Sequence, residues 1–354
     1  MTVTLRVGTR GSALARTQTG QVADELASIG GFAIELVHVR TDGDRLTGSL
    51  ATLGGTGVFV TALREALLDG RCDVAVHSLK DLPTGPALGL TLGAVPPRED
   101  PRDVLCARDG LTLATLPPGS RVGTGSPRRA AQLRAARPDL EIVDIRGNVD
   151  TRLGRVVGGT VDTAHADDRP ARDLDGVVLA RAGLARLGRL DAVTDTLPPA
   201  TMLSAAGQGA LAIECRATDD VPGLAAALAA LDHRPTRLAV LAERALLARL
   251  EAGCAAPVGA LAVLDGTTLT LDAVVTRTDG TAALRLSAST SVPETTAGGA
   301  DGTRGPVGTA GSDGSDGSDV AVGSDEPARD AAVALGHTLA DQLLAAGAGE
   351  AMTA

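Results

Sequence analysis

The chain has 354 residues, more than one hydrophobic core usually organises, so two or three domains are expected. Hydrophobic residues make up 44%, but aromatics only 1%, with no Trp or Tyr, so the cores must be built from Ala, Val, Leu and Ile, and nucleic-acid binding by base stacking on aromatic platforms is nearly excluded. A formal net charge of -10 disfavours long-range attraction to polyanions, so an anionic ligand would need a local cluster of cations.

The first third alternates strand-like and helix-like segments. A short strand at Thr4 to Val7 precedes a helix from about Ser12 to Ile29, closed by Gly30 and Gly31. An extended stretch Ala33 to Arg40, a helix near Phe59 to Leu68 and a buried strand Cys72 to Val76 follow. After the Pro- and charge-rich PPREDPRD, strands DVLCAR, RVGTGS, EIVDI and GVVLA alternate with helical stretches, giving a second α/β unit over residues 103–197. LPPATMLSAAGQGAL reads as a crossing segment. Beyond about residue 220 come a long amphipathic helix, Thr236 to Glu251, three strand-like runs joined at Asp265-Gly266 and Asp279-Gly280, and a last helix near Ala328 to Ala345. This predicts a third, α+β domain over 221–354, interrupted at 292–326 by a Gly/Ser/Asp-rich insertion too poor in apolar residues to order itself.

Several strand-to-helix turns carry a cation where α/β sheets place ligands. VGTGSPRRAAQL puts Ser126 at a helix N-cap, Pro127 at the first helical position and Arg128 and Arg129 in the first turn, where cations oppose the helix dipole unless an anion sits between them. Arg10 and Ser12 lie in the turn after the first strand, and Arg146 and Arg152 flank the start of a later helix. Lys80, the only lysine, precedes Asp81 just past the strand ending near Val76. On the residues alone Lys80 is open to three readings: a surface ion pair, an anchor for an anion, or a Schiff-base amine. The four cysteines, Cys72, Cys106, Cys215 and Cys254, have no metal spacing and read as free thiols of a reducing compartment, with no metal site. The start, MTVTLRVGTR, lacks the apolar core of a signal peptide and no apolar run spans a bilayer, so a cytoplasmic protein with no membrane partner is expected.

Taken together and in order, GTRGSALA, GGTGVFVTALREALL, DVAVHSLKDLP, EDPRDV, VGTGSPRRAAQL, IRGNVDTRL, GQGALAIECR and RLEAGCAAPVG closely resemble the porphobilinogen deaminase (hydroxymethylbilane synthase) family. The resemblance implies an α/β fold of two periplasmic-binding-protein-like domains with a cleft between them, plus a smaller α+β C-terminal domain with a three-stranded antiparallel sheet. It also implies that residues 198–218 return to a first domain begun by residues 1–98. It further implies a monomer that condenses four porphobilinogen molecules on a covalent dipyrromethane cofactor, a thioether of Cys254. Asp81 matches the family's catalytic carboxylate. Lys80, Ser126, Arg128, Arg129 and Arg152 match positions at the cofactor, and Arg10, Ser12, Arg146, Arg152 and Arg186 match positions at the substrate. One departure stands out: LATLGGTGVF has Thr52 and Thr56 where the family commonly has lysines. A solute-binding module on the same two-domain cleft, needing neither Asp81 nor Cys254, is the non-enzymatic alternative.

Overall fold

The computed structural model describes residues 2–39, 57–158, 173–218, 221–252, 256–294 and 325–353. Cys254, Thr52, Thr56, nearly all of the expected 292–326 insertion and most of the GGTVDTAHADDRPARD stretch lie outside the described residues.

In the first unit, β1 (Thr4–Thr9), α1 (Ala13–Gly30), β2 (Ala33–His38), α2 (Gly57–Leu68), β3 (Val74–Ser78) and β4 (Leu90–Ala94) succeed one another. The helix start expected at Ser12 is its N-cap: the hydroxyl oxygen accepts from Ala15 N at 3.3 Å. Gly31 closes α1 in the left-handed conformation, φ 66°.

The second unit holds β5 (Asp103–Ala107), β6 (Arg121–Gly123), α3 (Pro127–Ala136), β7 (Glu141–Val143), α4 (Val149–Leu153), β8 (Gly176–Ala180), α5 (Arg181–Arg186) and β9 (Asp195–Thr196). The chain then supplies β10 (Leu211–Arg216), which runs antiparallel between β3 and β4 in the first sheet, order β2-β1-β3-β10-β4. The second sheet has the order β7-β6-β8-β5-β9. Both sheets mix parallel and antiparallel pairs, and each is covered on two faces by separate apolar clusters.

After α6 (Leu224–Leu231), the third unit comprises α7 (Arg234–Arg249), β11 (Val258–Asp265), β12 (Thr268–Thr276), β13 (Ala283–Ser291), α8 (Glu326–Ala345) and α9 (Ala348–Thr353). Its antiparallel sheet, β11-β12-β13, turns at both expected Asp-Gly pairs, with Gly266 at φ 57° and Gly280 at φ 80°. The expected α7 begins two residues earlier than its apolar pattern suggests, because Pro235 suits the first turn.

The three units meet on residues 198–210. Arg285 donates to Pro199 O at 3.1 Å, Gln132 exchanges two bonds with Leu203, and Ala260 N donates to Ser204 O. Glu243, wholly buried on α7, takes Arg98 at 2.6 Å and accepts from Gly207 N at 2.6 Å and Ala262 N at 2.8 Å. One carboxylate thus ties the first unit, the crossing segment and the third sheet. Truncating one partner of such a buried pair leaves the other charge uncompensated. Glu243→Ala is expected to lower unfolding free energy by about 3–5 kcal/mol, measured by urea denaturation, with Glu243→Gln recovering part of the loss.

Candidate functional site

Leu79 and Leu82, 0% and 5% exposed, pack into a small core with Val60, Val95, Ala210, Ala212 and Val240. Between them the chain makes a single 3-10 turn, Leu79–Asp81, closed by Leu82 N donating to Leu79 O at 3.0 Å. With both leucines committed inward, Lys80 and Asp81 must project from that core. Arg244 of α7 holds the exit of the turn by donating to Leu82 O at 3.0 Å and Pro83 O at 2.6 Å. Among the described residues no hydrogen bond or ion pair fixes the Asp81 carboxylate, whose charge acts on the neighbouring Lys80 ammonium.

Across from this turn stands the N-terminus of α3. Ser126 caps it, its oxygen accepting from Arg129 N at 3.5 Å, and a Cβ at Gly125 would lie 2.4 Å from Ile145 O, so only glycine lets the loop lie that close to the start of the next turn. Arg128 and Arg129 are neither solvated nor held by an external anion alone. Both are buried against Asp103, the first residue of β5, at 2.8 Å each. Burial would raise the pKa of Asp103, but the two guanidinium groups and a hydrogen bond from Gln208 outweigh it and hold the carboxyl at about 2. The cations that the helix dipole disfavours are thereby balanced from inside the protein.

One internal carboxylate does not neutralise the whole cluster. Burial, together with Arg129 and Arg128, pulls the Lys80 ammonium down to about 8 against the opposing pull of Asp81 and Asp103; the residue as a whole is half-buried. Arg152 is lowered to about 10 by burial and then by Arg129 and Arg146, with Asp144 opposing. Arg128 is lowered by burial and by Arg129 against Asp103, and its Nε is buried without a hydrogen-bond partner among the described residues. These cations lower one another's pKa because they share too few anions. Carboxylates arriving from a ligand would relieve that repulsion.

Not every expected residue joins this group on the same footing. Arg186 donates to Gly209 O at 2.7 Å, and burial lowers its pKa against Glu99. Arg146 lies 3.8 Å from Asp144, Arg152 donates to Gly147 O at 2.8 Å, and Arg10 is half-buried in the turn after β1, next to Ser12, whose oxygen already serves the cap of α1. His77 is buried with Nε2 3.2 Å from Glu214, which also takes Arg64, so it packs against an ion pair. Sequence reasoning missed Asp103 and Gln208. The EDPRDV and GQGALAIECR blocks contained them, but nothing in a linear pattern shows that residues 103, 128, 129 and 208 meet. Among the described residues no group of three His, Cys, Asp or Glu side chains could hold a metal ion, and no helix is long and apolar enough to cross a membrane.

Residues 5–222 match the family model "porphobilinogen deaminase, dipyromethane cofactor binding domain", and residues 237–298 match "porphobilinogen deaminase, C-terminal domain". Curated relatives carrying the same name include a protein of Leifsonia xyli, 61% identical over 285 residues that make up 80% of this chain and 83% of its own. Those of Streptomyces coelicolor and Thermobifida fusca are 56% and 54% identical, over 82% and 83% of this chain and 89% and 88% of theirs. A periplasmic substrate-binding protein from Coxiella burnetii aligns over 64% of this chain and 91% of its own, at 15% identity and a TM-score of 0.39.

Because Lys80 is the sole lysine, [ε-13C]lysine labelling gives a single resonance from which its titration can be read. In the ligand-free protein its midpoint is expected near pH 8, well below an ordinary lysine's. The folded protein then binds fewer protons than the unfolded chain between that midpoint and the ordinary value, so stability rises with pH through that window. A midpoint at an ordinary lysine's value would show that the ammonium is not desolvated.

Proposed function

The chain belongs to the porphobilinogen deaminase family, and from that premise we propose how its residues divide the work of joining four porphobilinogen molecules, head to tail, into hydroxymethylbilane with release of ammonia. The observation that carries the division is the cluster of mutually repelling cations around Asp103. Every pyrrole of this chemistry bears an acetate and a propionate, so an acidic protein that concentrates arginine at one site suits it.

The dipyrromethane cofactor fits this cluster, since its carboxylates would meet Lys80, Arg128, Arg129 and Arg152, and the buried Arg128 Nε has a donor to spare. When bound, the cofactor supplies the pyrrole carbon to which the first unit is joined. Cys254 carries it through a thioether, and Ser126 offers its hydroxyl proton at the same end of α3. Arg10, Ser12, Arg146, Arg152 and Arg186 hold the carboxylates of the incoming porphobilinogen by paired N–H donors, fixing its ring in register. Asp81 stabilises the cation left on the substrate methylene when its C–N bond breaks, and its carboxylate takes the proton that the attacked ring carbon loses once the new C–C bond has formed.

A lowered ammonium would also suit a Schiff-base lysine. Porphobilinogen, however, offers no aldehyde or ketone, its only carbonyl groups being carboxylates, so Lys80 serves as an electrostatic anchor. On this reading the enzyme is a transferase of the hydroxymethylbilane synthase type and acts as a cytoplasmic monomer. The free thiols of Cys72, Cys106 and Cys215 support a reducing compartment. The seat of β10 in the first sheet supports domain limits of 1–98 with 198–218, 103–197 and 221–354.

Intact protein should outweigh its sequence by one dipyrromethane, with the excess mapping to Cys254 and absent in Cys254→Ser; an unmodified, fully active protein would sink the assignment. Asp81→Ala should keep fold and cofactor yet lose turnover by about 10²-fold or more. Normal turnover would remove Asp81 from its role.

A further inference from the structure

Gln208 is 1% exposed, and its carboxamide is oriented by what surrounds it. Nε2 donates to Asp103 Oδ1 at 2.8 Å and to Pro101 O at 2.7 Å, both acceptors, so the oxygen must face the other way. There Oε1 lies 3.4 Å from Lys80 Nζ and 3.4 Å from Arg129 Nη2. The backbone is pinned as well: Arg98 Nε donates to Gln208 O at 2.8 Å, Glu243 takes the preceding amide, and Arg186 donates to the following carbonyl. Gly209, φ 88°, turns so tightly that a Cβ there would lie 2.3 Å from Glu99 O.

We propose that Gln208 is a positioning residue for this reaction, its single neutral oxygen setting the separation of the Lys80 ammonium and the Arg129 guanidinium, which come from different α/β units. The proposal rests on the reading of these cations as holders of ligand carboxylates. A neutral oxygen is the chemistry the place requires. It attracts both cations without cancelling either, so both charges remain for the ligand. A carboxylate at this position would neutralise Lys80 and, having no N–H, would face Asp103 Oδ1 as a like charge. An apolar side chain would let the two cations move apart under their own repulsion. The length of both contacts fits one acceptor shared between two groups that repel each other.

The test uses full-length Gln208→Met and Gln208→Glu. The titration of [ε-13C]lysine at Lys80 is read in chains that also carry Cys254→Ser, so it involves no turnover and no attached group. Kinetics are read with Cys254 intact. Loss of the acceptor in Gln208→Met is expected to lower the Lys80 midpoint by about half a pH unit or more, and Gln208→Glu to raise it by about one unit or more. Both should reduce kcat by about tenfold or more while KM for porphobilinogen changes much less, because the cofactor rather than the free substrate is misplaced. An unmoved midpoint in both variants would show that the contact does not exist, whatever the site binds. A shifted midpoint with normal kcat would reduce Gln208 to packing and overturn the proposal. If Gln208→Met does not fold, Gln208→Glu decides by the same two readouts. Failure of the carboxylate-binding reading itself would show elsewhere, in wild-type protein that carries no dipyrromethane.

Discussion

A carboxylate with no solvent exposure anchors the site. Burying Asp103 costs several kcal/mol, and the cost is offset only because Arg128, Arg129 and Gln208 all turn toward it. The dependence runs both ways. Two guanidinium groups in the first turn of α3 would be a poor choice for that helix, and Asp103 is what makes the arrangement tolerable. Asp103 also opens β5, opposite Ala180 in the register with β8, where Arg129 reaches Val178 O. Strand, helix and cation cluster therefore stand or fall as one element, and Lys80 joins them through Gln208.

The third unit braces this arrangement from outside. Arg244 grips the two carbonyls beyond Asp81, and Glu243, the residue before it on α7, holds Arg98 and the backbone of Gly207. Neighbouring residues on one helix thus hold the Leu79–Asp81 turn and the crossing segment. The turn between β12 and β13 meets α3 directly: Arg134 donates to Thr278 O at 2.7 Å, and Gly280 lies so near the helix that a Cβ would come within 2.7 Å of Ala135 N. Both the Leu79–Asp81 turn and α3 therefore rest on the same third unit.

Much of the fold was legible in the sequence because its signals were local. The caps at Ser12 and Ser126, the Asp-Gly turns and the alternation of strand and helix each depend on a few adjacent residues. That cations stand at the strand-to-helix turns was legible too, since each is read from its own short segment. What they bind inside the protein was not. The RR pair suggested an external anion, and the structure supplies Asp103, 25 residues away from Arg128 in sequence and in contact only through the order of the second sheet. Gln208 was hidden for the same reason. Its partners come from three separate segments, and the seat of β10 between β3 and β4, which fixes the position of Gln208, follows from topology rather than from periodicity.

That seat of β10 also bears on how the molecule is made. β4 joins the first sheet only through β10, which pairs with both β3 and β4. On the ribosome, β1 to β3 emerge early, but the sheet they belong to stays open until residue 216 has been synthesised. All eight elements of the second unit, β5 to β9 with α3 to α5, leave the ribosome before the strand that completes the first. The amino-terminal part of this protein is therefore the first to be born and among the last to close, an exception to the usual N-to-C order of domain maturation. Until then it exposes two strand edges, β3 and β4, that only its own later residues are shaped to fill.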